Sequence, residues 1–186
     1  LVILNGLGIE EPARKLAEQA TRPGTTIVEL GGATLDETQW RYDRSFPREG
    51  GRPNPHLWTA PRLARRYAEV SRDALVQRDP GGAETYRRNT DALLAALDRL
   101  DAAVRAALAS IPPAQRKLVT YHDAYAYVGA DYGLEIVGAL QPADFSQPTP
   151  GRWPSWSSRC GPRACPPSSA PRCSRAPCWS RSAARP

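Results

Sequence analysis

The sequence predicts an α/β fold built as two strand–helix–strand units on either side of one long helix. Two observations carry this. The chain opens on an apolar strand-like run, a glycine turn, a helical stretch and a second strand-like run, and the same order returns after residue 116. Between the two lies a helical pattern from about Ala83 to Ser110. At 1.5 Å per residue it would run about 40 Å, long enough to join two lobes.

The elements follow in order. "LVIL" (1–4) reads as a buried strand, and "NGLGIE" (5–10) turns the chain, with Gly6 and Gly8 suited to positive φ. "EPARKLAEQA" (11–20) is a helix that tolerates Pro12 in its first turn. "TTIVEL" (25–30) is the second strand, which makes a βαβ unit on a parallel sheet. Residues 31–53, polar and rich in glycine and arginine, read as a long surface loop of the kind that is functional or mobile.

"PRLARRYAEVSRDALVQRD" starts a helix at Pro61, with Leu63, Tyr67, Val70, Ala74, Leu75 and Val76 along one stripe. "PGG" (80–82) breaks it. The long helix repeats Tyr86, Thr90, Leu93, Leu97, Leu100, Val104 and Leu108 every three or four residues, and "IPP" ends it. "KLVTY" is then a strand, "DAYAYVGADY" a helix capped by Asp123 and stopped by Gly133, and "LEIVGAL" a strand. This divides the chain into an amino-terminal α/β lobe (1–82), a connecting helix (83–112), the start of a carboxyl-terminal lobe (113–150) and a tail (151–186).

The net charge of +6 raises nucleic-acid or membrane-surface binding as a question. Its distribution answers against both. Up to about residue 150, acidic and basic residues interleave, as in "RRYAEVSRD", which is the pattern of a solvated helix face. The positive excess and all four cysteines lie in the tail.

Only two histidines occur. His56 sits in "NPHLWTAP", stiffened by prolines on both sides, with Trp58 placed to wall it from water. His122 sits at the carboxyl end of a predicted strand, where open α/β sheets bind ligands. Neutral imidazoles are good ligands for zinc and other transition metals. A histidine at a helix start is also a common capping or hydrogen-bonding group. Two ligands make an incomplete zinc site, since a closed site needs about four. If one ion joins them, their nitrogens approach to roughly 3.3 Å. HExxH, nucleophile-elbow and P-loop motifs are absent from the sequence. Asp91, Asp98 and Asp101 read as solvated, and Tyr121, Tyr125 and Tyr127 as packing between lobes.

"NGLGIE", "NPHLWTAP", one long helix and "HDAYAYVGADYGLEIVG" stand in an order that resembles the substrate-binding proteins of bacterial ABC importers for zinc and manganese. The resemblance covers roughly residues 1–150. It implies a two-lobed metal-binding-protein fold that captures Zn2+ (or Mn2+) as transported cargo and delivers it to an ABC permease membrane subunit. It also implies a monomer, no enzymatic activity, no nucleic-acid partner, and an extracytoplasmic location in the periplasm or as a cell-surface lipoprotein. His56 matches the family's second ligand and His122 its third, a histidine there favouring zinc. The first ligand falls upstream of "NGLGIE", so the chain reads as amino-terminally truncated, as the absence of any Met also suggests. The fourth, an acidic residue, has no counterpart, which leaves the carboxyl-terminal lobe incomplete. Ala60 stands where the family usually has Asp, and the 31–53 loop lacks the histidine cluster of zinc-type members. Competing readings are a surface adhesin or interaction protein with structural histidines, and a metal-dependent hydrolase, for which no carboxylate has convincing spacing.

The tail holds no Asp, Glu, Leu, Ile or Val, and cannot supply the elements of an α/β lobe. Its Cys160, Cys165, Cys173 and Cys178 match no strong zinc pattern. Giving residues 152–168 plausible codons, mostly ending in G or C, and reading each from its last base gives "VAELVEPVRAAGVPAVF". That is an amphipathic helix, a glycine stop and a strand entry. The tail therefore reads as an out-of-frame translation, disordered as it stands.

Overall fold

The computed structural model describes residues 1–141. The sequence readings of residues 142–186, including the four cysteines and the out-of-frame tail, lie outside the described residues. The elements are β1 (Val2–Leu4), α1 (Glu11–Ala20), β2 (Ile27–Glu29), α2 (Leu30–Thr34), α3 (Pro61–Arg78), α4 (Ala83–Ala109), β3 (Lys117–His122), α5 (Ala126–Tyr132) and β4 (Glu135–Gln141). β1 pairs with β2 and β3 with β4, both in parallel. Parallel neighbours need a crossover, and α1 and α5 supply it in the two units.

The glycine turn after β1 takes three consecutive positive φ values, at Gly6 (78°), Leu7 (55°) and Gly8 (82°). The Glu10 carboxylate holds the turn by accepting from the Asn5 and Gly6 backbone N–H groups at 2.6 and 3.0 Å. A Cβ on Gly6 would lie 2.9 Å from the Cβ of Glu29, so only glycine brings this turn so close to β2. Gly133 ends α5 in the left-handed region at φ 67°, as the sequence predicts.

The 31–53 segment is not the open loop its composition suggests. It begins inside α2 and contains 3-10 turns at Glu37–Gln39 and Arg48–Gly50. Gly31 is buried, and its N–H donates to the Asn5 carbonyl at 2.8 Å, an approach its missing side chain permits. The segment also sends Leu35 into the core. There Leu35, Leu57, Ala60, Leu63 and Tyr127 form a buried cluster, flanked by Leu7, Trp40, Tyr67, Ala126 and Val128. The cluster joins the 35–63 segment to α5 through Tyr127, and Leu57 and Leu63 are wholly excluded from solvent.

α4 has the length its periodicity predicts, but its stripe is only partly covered. Thr90 is buried, whereas Leu93 and Leu100 remain half exposed. Among the described residues, no helix is long and apolar enough to cross a membrane.

Candidate metal centre

Three of the four quoted motifs converge here because their backbones are tied together. The Asn5 side chain donates to the Pro55 carbonyl at 3.1 Å and accepts from the Tyr67 hydroxyl at 2.7 Å. That links the first glycine turn to the segment carrying His56. The Tyr127 hydroxyl donates to the Asn54 carbonyl at 3.0 Å and accepts from the Arg41 N–H at 3.2 Å. The Thr59 hydroxyl lies 2.9 Å from the Ala124 carbonyl and 2.8 Å from that of His56. A chain stiffened by Pro53, Pro55 and Pro61 is thereby docked on the strand-to-helix corner that carries His122.

His56 stands at the head of a 3-10 turn, Leu57–Thr59, and is 5 % exposed. His122 ends β3 and is half-buried. The two are 66 residues apart, yet their Nε2 atoms lie 3.0 Å from each other. The rings meet edge to face, with centroids 4.8 Å apart and planes at 83°. Phe46 and Trp58 pack on His56 at centroid distances of 5.9 and 5.2 Å. Trp58 is itself 40 % exposed, so it shields one side of the ring rather than sealing the site.

Burial pushes the His56 pKa down to about 4, and the neighbouring His122 pushes in the same direction, against a smaller opposing pull from Asp123. His56 is therefore neutral near pH 7, with a lone pair available on one nitrogen. Behind it lie Asn54, fully buried, and the carboxyl groups of Asp43 and Asp123. Burial raises Asp43 to about 6; hydrogen bonds from Asn54 and Phe46 oppose this, and the Asp123 charge adds to it. Among the described residues, no group of three or more His, Cys, Asp or Glu side chains forms a metal cage.

A family model described as zinc-uptake complex component A, periplasmic, matches residues 1–156. The chain belongs to this family. It is 36 % identical over 137 residues to the iron-binding protein YfeA of Yersinia pestis, covering 74 % of this chain and 42 % of that one. It is 34 % identical over 149 residues to the manganese-binding lipoprotein MntA of Halalkalibacterium halodurans, covering 80 % of this chain and 46 % of the relative. Among solved structures, the periplasmic zinc-binding protein TroA of Treponema pallidum superposes with a TM-score of 0.67 at 26 % identity, over 80 % of this chain and 51 % of that one. A crystal structure of ZnuA gives 0.61 at 26 % identity, over 80 % and 53 %. The chain thus spans about half the length of the relatives it matches, and it has the α/β fold of this zinc-uptake family.

Other sequence readings need correction. Asp123 does not cap α5: the helix starts at Ala126, its cap position is Tyr125, and no side chain bonds its first N–H groups. A backbone bond from Ala124 N–H to the His122 carbonyl turns the chain first, which buries Asp123 beside Asp43 with one carboxylate oxygen lacking a hydrogen bond. Of the three tyrosines, only Tyr127 packs; Tyr121 and Tyr125 are 46 % and 40 % exposed. Asp98 is solvent-exposed as expected and pairs at the surface with Arg65, whereas Asp101 pairs with Arg105 and also accepts from the Tyr132 hydroxyl at 2.7 Å. Asn5, Asp43 and Asn54 went unassigned in the sequence, although all three organise the site. The Asn-Pro-His spacing held a signal, since asparagine often bonds the N–H two residues on.

Proposed function

We propose that this chain is the metal-capturing part of a solute-binding protein that takes up a divalent transition metal outside the cytoplasm and hands it to an ABC permease. His56 and His122 contribute one Nε2 atom each to the cargo ion. The single observation that carries this reading is the 3.0 Å approach of those two nitrogens across 66 residues of chain. It lies a few tenths of an ångström below the roughly 3.3 Å expected for two ligands of one tetrahedral ion. A small opening of the rings admits the metal.

Zinc is the favoured cargo and manganese the alternative. The donors are borderline-soft nitrogens, and a manganese site draws more on oxygen. The relatives carry names for iron, manganese and zinc. The remaining coordination positions are filled by water or by groups outside the described residues. The protein works as a monomeric carrier and not as an enzyme. The periplasmic and lipoprotein descriptions of the family and its relatives support the location.

Zinc titration by calorimetry, with His56→Ala, His122→Ala and the double variant alongside, tests the reading. The expected result is one zinc per chain with affinity weaker than micromolar, because two nitrogens provide half of a closed site. Either single substitution should remove it. Unchanged zinc uptake by the double variant would refute the site and favour an interaction protein with structural histidines.

A further inference from the structure

Asn54 lies against the Nδ1 side of His56 and is itself entirely buried. Its Oδ1 accepts from the His56 backbone N–H at 3.0 Å. Its Nδ2 faces the Asp123 carbonyl at 2.9 Å and Asp43 Oδ2 at 2.7 Å. A backbone N–H only donates and a backbone carbonyl only accepts, so these neighbours fix which end of the amide is oxygen. That oxygen also lies 2.8 Å from His56 Nδ1. An amide oxygen cannot donate, so His56 Nδ1 must carry the proton.

We propose that Asn54 is a positioning residue that locks His56 in its Nδ1–H tautomer, so that the Nε2 lone pair always faces the ion's place; this rests on the metal reading above. Asp43 supports the lock. Its Oδ1 is held by the Ser45 and Phe46 N–H groups at 3.0 Å each, which leaves Oδ2 to hold the Asn54 amide. The two histidines then play unequal parts. A 3.0 Å contact between two ring nitrogens needs one proton between them, and with His56 Nε2 bare, His122 Nε2 supplies it. His56 is ready for an ion as it stands. His122 must give up its Nε2 proton before it can bind.

The test is nitrogen-15 NMR of the histidine rings of the full chain at a fixed pH of about 7.5, without and with zinc ions. In the unsubstituted chain His56 shows Nδ1–H and His122 shows Nε2–H, and zinc changes the protonated nitrogen of His122 alone. In Asn54→Ala, His56 shifts toward the Nε2–H form that free imidazole side chains prefer. Zinc affinity then falls by about 10- to 100-fold, the usual consequence of removing a ligand's supporting partner. An Nε2–H signal for His56 in the unsubstituted chain overturns the proposal, whether or not the alanine variant folds. So does a folded Asn54→Ala that keeps both tautomer and affinity. If His56 is locked as described but zinc moves neither ring, the positioning role stands and the metal reading fails.

Discussion

Lowering the pH of the metal-free chain from 6.5 to 4 puts a proton on His56 in the unfolded state but not in the folded one. Burial depresses the folded pKa from its ordinary 6.5 to about 4. The unfolded chain therefore binds more protons across this window, and the His56 contribution to stability is lost as pH falls through it. At about 1.4 kcal/mol per pH unit, the loss is on the order of 3 kcal/mol. Asp43 works in the opposite sense. Its folded pKa is raised from 3.8 to about 6, so its contribution is present below 3.8 and lost as pH rises through 6. That change too is on the order of 3 kcal/mol. Between pH 4 and 6 the two slopes nearly cancel, and the unsubstituted chain should hold almost constant stability. His56→Gln removes one partner of this cancellation. Its stability should then fall as pH rises from 4 to 6, measured by urea unfolding in the presence of a chelator. Proton NMR of the His56 ring gives its midpoint directly. A His56 midpoint near 6.5, or a His56→Gln variant with a flat profile, would refute the reasoning.

Three further predictions concern the frame that holds the site. Leu57→Ala empties the middle of the core beneath His56, where Leu57 is fully buried, and should cost about 2–5 kcal/mol in urea unfolding. Gly31→Ala would put a Cβ 2.7 Å from Leu7 Cδ1 and 3.0 Å from the Asn5 carbonyl oxygen, so a loss of about 1–3 kcal/mol is expected. Gly32→Ala, one residue on in the same helix, meets nothing within 4 Å and should be neutral or stabilise by up to about 1 kcal/mol; equal losses for the two would refute the packing argument. Tyr127→Phe deprives the Asn54 carbonyl and the Arg41 N–H of their partner and should cost about 1–3 kcal/mol by thermal or urea melts, with no effect if water replaces the hydroxyl freely.

The sequence alone determined what depends on neighbours along the chain. Strand runs, the α3 and α4 helices, the glycine turn at 5–10 and the Gly133 stop are local patterns found close to where they lie, but β1, expected to be buried, leaves Ile3 37 % exposed, and Leu30, expected in the second strand, opens α2. The two histidines stood out because they were rare and sat at element ends. Tertiary structure decided what depends on closure. The 31–53 segment looked open because its composition is polar, but burial of Leu35 and the close approach of Gly31 to Asn5 fold it against the core. Asp123 looked like a helix cap because capping is judged over three or four residues, whereas its carboxylate is buried against Asp43 from 80 positions earlier. The 3.0 Å meeting of His56 and His122 belongs to this second kind. Periodicity fixes which way a residue faces on its own element, but only packing between elements brings two such faces to one point.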